Sequence, residues 1–519
     1  MRKYYFFISF SLFSFFQSFA QLPEDALRAS WTMPSGTARQ QAIGGAMGSL
    51  GGEITAGFVN PAGLGLYKTS EFVISPGMRF LMDKSNYLGN GSSASTISNY
   101  NMGPTGLVFS YEGRNGGNNV FAVAVNRMAN FNSNIYYQGK NGYSSAAEQY
   151  AEEFAGSGLT PDAALSASNL SYGTRMGLYT YLIDTATVNG SLQVVAQPNK
   201  AGLVNQANSL RSKGGITEIG LSLATNMKDH WQIGGTLGIP IMSYTRYQTY
   251  TETDATGNTN NDFANYTYQE TYTSKGFGFN GKVGVLFTPG PSWRFGFALH
   301  TPTIYGVTDK IHASMVTNLE GYTNYKQKSI SSDSLDMLAG ISGANSVDYN
   351  MYTPWKFILS GSYVFGGRVE DVKRQKGFVT ADLEYVTTNS TTFSPANNNN
   401  TDGTSDHAYY DAVNSAIKSA YKGTLGARVG GELKLNTFMA RAGFAYYTNP
   451  YKDSQLKADR LYLTGGVGYR NGGMFIDLAY VQQFSRDISF PYRLADKTNT
   501  AASLKEIGGT IMLTAGLKF

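Results

Sequence analysis

Fourteen stretches of this chain alternate apolar and polar residues with a period of two, near residues 71–81, 104–112, 120–132, 215–227, 231–247, 270–288, 293–308, 354–365, 377–388, 423–435, 437–447, 459–470, 474–484 and 506–519. Their connections alternate in length. Residues 113–119, 228–230, 289–292, 366–376, 436 and 471–473 are short, whereas 82–103, 133–214, 248–269, 309–353, 389–422, 448–458 and 485–505 are mostly long. Short links at one end and long ones at the other describe an even set of antiparallel strands running up and down.

The faces of these strands ask what medium surrounds them. Ile476, Leu478 and Tyr480 share one face with Asp477 on the other. Leu425, Ala427, Val429, Leu433 and Leu435 oppose Arg428, Glu432 and Lys434, and Trp293, Phe295, Phe297 and Leu299 oppose Arg294 and His300. In a soluble sandwich the charged face points out; in a membrane barrel it lines the lumen.

The start of the chain favours the barrel. Arg2-Lys3, an apolar run over residues 4–16 and Ser18-Phe19-Ala20 have the layout of a secretory signal peptide cleaved after Ala20. Beyond it no apolar run approaches the ~18 residues of a membrane helix. The chain has 0 Cys, which excludes a lipoprotein anchor, disulfides and thiolate metal sites. Tyr at 36, Phe at 30 and Gly at 60 against 15% charged residues favour strands and turns over helix surface. The last residues, Leu513-Thr514-Ala515-Gly516-Leu517-Lys518-Phe519, alternate and end on an aromatic, similar to the signal that hands outer-membrane barrels to their assembly machinery.

The expected fold is therefore all-β: a 14-stranded antiparallel transmembrane barrel in the bacterial outer membrane, with long, partly helical extracellular loops. Orientation follows from the loops, and it places both termini on the periplasmic side. The expected division is 1–20 signal peptide, 21–70 N-terminal extension and lumen hatch, and 71–519 barrel. The net charge of +5 falls to +3 once Arg2 and Lys3 are removed, too small an excess to predict a nucleic-acid partner.

Residues 42–67, AIGGAMGSLGGEITAGFVNPAGLGLY, fit no strand. Eight glycines break both helical and strand periods, yet Ile43, Met47, Leu50, Ile54, Phe58, Val59, Leu64 and Leu66 are too apolar for a solvated linker. Such a segment needs burial, and a barrel lumen supplies it. Asn60-Pro61 is expected to set a turn, since Pro fixes its own φ and restricts the residue before it.

The third strand departs from its own alternation. Phe121, Val123 and Val125 face lipid, and the next position on that face is Arg127. It lies ~14 Å above Phe121, inside an apolar band ~25 Å tall, so either a bulge or kink near Asn126-Arg127 re-aims it or the strand begins a few residues away. In the loops, Ser145-Ala146-Ala147-Glu148 reads as a capping box opening a helix that ends near Gly156, and Thr160-Pro161-Asp162 opens another. Tyr410, Val413, Ile417 and Ala420 share one helical face before Gly423, and residues 397–400 read as a solvated loop tip. The apolar stripes either cover the barrel mouth or pack the loops together.

Gly44-Gly45-Ala46, a spacer and then Asn60-Pro61-Ala62-Gly63-Leu64, placed between a signal peptide and fourteen strands, resemble the hatch of the FadL/TodX family of outer-membrane transporters for long-chain fatty acids and hydrocarbons. The likeness extends to residues 293–302, to Thr353-Pro354-Trp355 with Gly361-Ser362-Tyr363, and to residues 441–446. It covers hatch and strands but not loops. The resemblance implies passive uptake of apolar molecules past a lumen hatch, with lateral exit at a kink in the third strand, where Asn126 and Arg127 fall. The long 133–214 loop and the extra residues before the hatch depart from the family pattern.

On that reading the candidate ligand-binding residues are Ile43, Met47, Leu50, Ile54, Phe58, Val59, Leu64, Arg294, Arg428 and Arg441. Asn60, Pro61 and Ala62 form the hatch motif, and Asn126 and Arg127 the lateral gate. The lumen cations Lys282, Arg294, Lys356, Arg428, Lys434, Arg441 and Arg460 meet a carboxylate, or pair with Glu218, Asp382, Glu384, Glu432 and Asp477 to hold hatch to wall. The expected partners are hydrophobic small molecules, outer-membrane lipid and lipopolysaccharide, and the barrel assembly machinery through the strand ending at Phe519, with no cofactor. The chain is expected to be a monomer unless it belongs to a larger assembly. Two rivals stand beside transport: a subunit of an outer-membrane or secretion assembly, and a haem receptor using His230, His300, His312, His407 or a Tyr. An enzyme has least support, because no G-x-S-x-G elbow, phosphate loop or CxxC is present and Gly361-Ser362 lies within a strand.

Overall fold

The structure, a computed structural model, describes residues 23–30, 35–112, 117–188, 190–227, 230–322, 327–341, 345–366, 376–396 and 403–519. The expected signal peptide and the loop tip at 397–400 lie outside them. Fourteen antiparallel strands form one closed wall. They are β1 (Glu71–Ile74 and Pro76–Tyr87), β2 (Ile97–Met102 and Thr105–Glu112), β3 (Asn118–Asn130 and Ser133–Asn141), β4 (Val204–Asn226), β5 (Trp231–Asp254), β6 (Asn265–Phe287) and β7 (Trp293–His300 and Ile304–Asn318). They continue as β8 (Ser346–Tyr352 and Lys356–Phe365), β9 (Gly377–Val386), β10 (Thr424–Leu435), β11 (Phe438–Tyr447), β12 (Arg460–Asn471), β13 (Met474–Ser489) and β14 (Ala502–Lys518). The ring closes where β14 pairs with β1, from Lys518 opposite Glu71 to Ser503 opposite Asn86.

Period-two alternation explains the two faces. Ile476, Leu478 and Tyr480 are exposed on the outside of β13, while Phe475, Asp477 and Ala479, which alternate with them, are buried. Leu383 and Val429 are likewise outside; Asp382, Glu384 and Arg428 are inside and buried. No helix among the described residues is long and apolar enough to cross a membrane.

The wall is taller than the apolar pattern alone foretells. β4, β5 and β6 run 23, 24 and 23 residues. Their upper outward positions, such as Ser209, Arg211 and Thr249, are polar, so the ladder continues where the hydrophobic signal stops. β7 and β8 are each interrupted, at Thr301-Pro302-Thr303 and Thr353-Pro354-Trp355, because proline has no N–H for the ladder.

Above the wall, α4 (Ala146–Ser157), α5 (Pro161–Leu165), α6 (Tyr172–Tyr179), α7 (Pro198–Ala201), α8 (Ser332–Ala339) and a hairpin of Ile183–Val188 with Ser191–Ala196 share a core containing Phe154, Met176, Leu182 and Phe263. α9 (Gly403–Ala420) buries Tyr410 and Ile417 against Tyr421 and Tyr451. Only half of the expected capping box forms. Ser145 accepts from Ala147 N–H at 3.1 Å and donates to Glu252 at 2.5 Å, while Glu148 turns to Lys497, 2.7 Å away.

The placement of both termini on the short-turn side is corrected in part. β1 begins and β14 ends there, but α1 (Pro23–Ser30) lies toward the long loops, packed on α9 with Glu24 2.5 Å from Arg493 between β13 and β14. Ala26, Leu27 and Ala29 are buried with Tyr421 and Tyr451. The upper lumen offers this amphipathic helix the apolar contact that solvent at the short-turn end does not.

The position of the apolar band is testable. Leu383→Arg, on the outer face of β9 amid the band, should cost ~2–4 kcal/mol in denaturant unfolding from phospholipid vesicles. Ser209→Arg, outward on the upper part of β4, should change stability by less than ~0.5 kcal/mol.

Candidate functional site

The floor of the lumen is the hatch: α2 (Ala38–Ala42), α3 (Ala56–Val59) and a 3-10 turn, Pro61–Leu66. Thr37 caps α2 by accepting from Gln40 N–H at 3.3 Å. Asn60 accepts from Ala62 N–H at 3.2 Å to cap the turn that Pro61 opens, and its amide donates to Gly48 O at 2.6 Å. A glycine-rich chain leaves many peptide groups without helical partners, and the barrel wall supplies them. Met47 and Gly48 N–H donate to Asp382 at 3.0 and 3.1 Å. Arg294 donates to Leu50 O at 2.7 Å, Thr236 to Gly57 O at 2.8 Å and Thr464 to Ala42 O at 2.9 Å. His300 Nε2 lies 2.9 Å from Val59 O. Gly44, at φ +69°, sits so close to β11 that a Cβ would lie 2.7 Å from Phe444 O.

Lumen charges pair across this floor. Arg428 is 3.3 Å from Asp382 and 3.1 Å from Glu384, and Lys356 is 3.5 Å from Glu384. Arg441 bridges Glu432 and Asp477, each at 2.6 Å, Arg39 of the hatch reaches Glu432 at 3.3 Å, and Lys282 pairs with Glu218. Most of these groups are nearly fully buried, and Arg39, Lys356 and Glu432 are partly so, which makes each charge depend on its partner.

Among the described residues the wall parts between β2 and β3. The β2–β3 ladder ends with Thr105 opposite Val125. Above that rung, Ile97–Met102 pairs with β1 and residues 126–130 pair with β4, so two strand edges face each other unjoined. Pro104 cannot donate, and Gly103 N–H turns to Ser75 O at 2.8 Å. β3 bends away through a bulge: Arg127 lies opposite Thr217 and Ala129 opposite Ile216, leaving Met128 as the extra residue. Arg127 is thereby turned along β4, donating to Gly214 O at 2.6 Å and the Thr217 hydroxyl at 3.2 Å. Buried in this gap, Asn99 Nδ2, Asn126 Oδ1 and Asn130 Nδ2 have no hydrogen-bond partner in the structure. The inner mouth is screened by the chain entering the hatch: Ser35 lies 3.2 Å from Asn126 Nδ2, and a Cβ on Gly103 would fall 2.6 Å from Gly36 O. The wall resumes above, where the Ser85 hydroxyl donates to Tyr136 O at 2.5 Å.

Between hatch and loops lies a cavity of about 550 Å³. Its base, formed by Arg79 and residues 129–133, adjoins the gap; Tyr244, Arg246, Tyr250, Tyr268 and Glu270 form one side, Glu24, Leu27 and Arg28 of α1 another, and α4, α6 and Tyr492 the roof. Arg246 pairs with Glu270 at 2.6 Å. Arg28 lies 3.8 Å from the centre of the Tyr244 ring and 2.5 Å from Asp25. Burial disfavours its charge, but Tyr244 and Asp25 outweigh burial and hold its ionisation above the ordinary guanidinium value. Arg79 is different. It is 4% exposed, contacts Gln483 Oε1 at 3.3 Å and Asn130 O at 3.5 Å, and leaves Nε unpartnered.

The sequence-derived candidates divide cleanly. Ile43, Met47, Leu50 and Val59 pack with Ala298, Ile358 and Phe378, and Ile54, Phe58 and Leu64 with Val73, Val108 and Val120. Arg294, Arg428 and Arg441 hold hatch backbone or carboxylates. None of these ten lines the cavity. Asn60, Pro61 and Ala62 form the expected turn, and Asn126 and Arg127 flank the gap. None of the four histidines lines the cavity. Arg79 was readable as inward, since Met78, Phe80 and Met82 alternate with it; Arg28 and the tyrosines above the band carry no local signal.

No protein-family model matches this sequence, and no curated protein does either. Among solved structures the fold is similar to a FadL homologue of Pseudomonas aeruginosa, with TM-score 0.56, 14% identity and coverage of 94% of this chain and 100% of that one. It is also similar to the toluene transporter TodX of P. putida, with TM-score 0.52, 12% identity and coverage of 94% and 99%. The toluene transporter TbuX of Ralstonia pickettii gives TM-score 0.50, 14% identity and coverage of 93% and 98%.

The floor makes a test. Asp382→Ala removes the acceptor of two hatch N–H groups and leaves Arg428 short of an anion, so unfolding stability should fall by ~3–5 kcal/mol. In planar bilayers the same variant should conduct small ions above the wild-type level.

Proposed function

We propose that this protein is an outer-membrane channel for passive uptake of hydrophobic compounds, long-chain fatty acids or hydrocarbon-like molecules, which leave the cavity sideways through the gap between β2 and β3. The observation that carries this reading is the pairing of a filled floor with an open wall. Below the cavity stand buried ion pairs and hydrogen-bonded hatch backbone, through which an apolar solute passes only by breaking charge pairs. Beside the cavity, two strand edges are unjoined.

The physical steps follow from the walls. Lipopolysaccharide sugars and charges resist apolar solutes in the outer leaflet, and a protein path lowers that barrier without an energy source when transport runs downhill. In the cavity, aromatic rings cover the apolar body of a ligand at ~25 cal/mol per Å² buried. Arg79, buried beside the gap with an unpartnered Nε, seats a carboxylate when the ligand has one. The apolar tail then lies toward Phe131 and the lipid outside.

On this reading residues 1–20 are removed during export, 21–70 carry α1 and the hatch, and 71–519 form the barrel. The hatch acts as a fixed stopper against hydrophilic solutes, and its apolar residues are its core rather than the ligand contacts. The reaction is transfer between phases with no bond made or broken, so no catalytic group is required.

Two variants test the route and the ligand class. Deleting Met128, the extra residue of the bulge, should realign β3 and lower uptake of labelled palmitate to background, with the barrel still heat-modifiable on gels; unchanged uptake would contradict the route. Arg79→Gln should weaken binding of a long-chain fatty acid ~10-fold or more, the worth of a charge-assisted hydrogen bond, and leave toluene binding unchanged.

A further inference from the structure

The outer surface carries a row of charge that transport does not use. Arg486 on β13 lies opposite Lys505 on β14, and Lys505 lies opposite Lys84 on β1. All three side chains point outward and are exposed. Like charges directly opposite on neighbouring strands repel, so this arrangement costs the isolated barrel stability. The row ends at Asp459, which follows Arg486 on the β12 side, and at Ser93 beyond Lys84, leaving an excess of two positive charges. Other outward cations toward the long loops lie opposite neutral residues: Arg211 faces Asn134 and Tyr247, Lys213 faces Thr245, Lys275 faces Ser243 and Thr308, and Lys310 faces Thr273.

The height of the row is as informative as its charge. On β14 the outward face is apolar or glycine from Leu517 to Ile507, and the next outward residue is Lys505. Ten residues at ~3.3 Å each, tilted ~45°, rise ~23 Å, close to the ~25 Å of an apolar band. On β1 the corresponding stretch ends at Met82, the outward residue before Lys84; on β13 Gln482 interrupts it, and Phe484 is the outward residue before Arg486. Phe484, Ile507 and Met82 are themselves exposed side by side, directly beneath the three cations. Three positive groups spaced ~5 Å apart therefore sit on the headgroup boundary, at the end of the barrel that bears the long loops.

We propose that Lys84, Lys505 and Arg486 form a binding site for a phosphate-bearing lipid of the outer leaflet, its phosphates on the cations and its acyl chains on Phe484, Ile507 and Met82. The proposal rests on the outer-membrane orientation given above but not on transport. A phosphorylated headgroup relieves the repulsion along the row, and its tails continue the apolar band. A soluble anion lacks the second half of that fit.

The test is native mass spectrometry of the full-length barrel in detergent, titrated with diphosphorylated lipid A. The triple variant Lys84→Gln, Lys505→Gln, Arg486→Gln should bind about a hundredfold more weakly than wild type, at ~1 kcal/mol per surface cation. A control triple, Lys213→Gln, Lys275→Gln, Lys310→Gln, should bind as wild type does. Wild-type protein alone provides a second measurement: its thermal midpoint should rise with lipid A and stay unchanged with the dephosphorylated lipid or with inorganic phosphate. Equal binding by both triples, or an equal rise with inorganic phosphate, would overturn the proposal. Uptake is read separately, so a failed transport assay leaves this result standing.

Discussion

In hydrocarbon every backbone N–H and C=O must find its partner within the protein, and that requirement governs this structure. It is why fourteen strands close on themselves, with β14 returning to β1 so that no edge faces lipid. It also gives the one lapse its meaning. Above Thr105 and Val125 the β2 and β3 edges part, and the unpartnered Asn99 Nδ2, Asn126 Oδ1 and Asn130 Nδ2 gather there. Unsatisfied polar groups cost free energy wherever they are buried, so a gap lined with them is maintained against the tendency of the ladder to close. Pro104 and the extra residue at Met128 are the local devices that keep it open.

The same requirement shapes the hatch. Its glycines permit tight turns and close approach to the wall, but they leave peptide groups that only side chains from the barrel satisfy. Asp382, Thr236, Arg294, Thr464 and His300 serve that purpose from four strands, β7 supplying two of them. Lumen charge thus has a structural use first: it holds a plug and neutralises itself. Arg79 stands apart because it lies above the plug, at the inner edge of the gap, without a described ion pair. The upper lumen is narrowed on its other side by α1, which shares a core with α9.

Much of this was legible in the residues. Period-two alternation and the rhythm of short and long links define the barrel, and the glycine-rich apolar run at 42–67 demands burial inside it. Arg127 on a lipid-facing position called for either a bulge or a shifted strand start, and the bulge is what forms. What was not legible depends on pairing rather than pattern. The extra height of β4, β5 and β6 has polar outward faces and so no hydrophobic signature. The direction of α1 depends on contacts with α9 and Arg493, far away in the chain. The apolar hatch residues read as a ligand surface, yet an apolar residue that lines a cavity and one that fills a core look alike in sequence. The cavity itself is made of Tyr and Arg from several strands and loops, brought together only by closure of the ring.

On the proposed route, solute leaves through the β2–β3 gap. With no native cysteine to interfere, one cysteine in Ile97–Met102 and one within 126–130 allow the two edges to be joined by a cleavable bifunctional maleimide. Uptake of a labelled long-chain fatty acid should stop on cross-linking, return on cleavage, and survive a monofunctional maleimide at the same cysteines. Uptake that continues with the edges joined would contradict the lateral route.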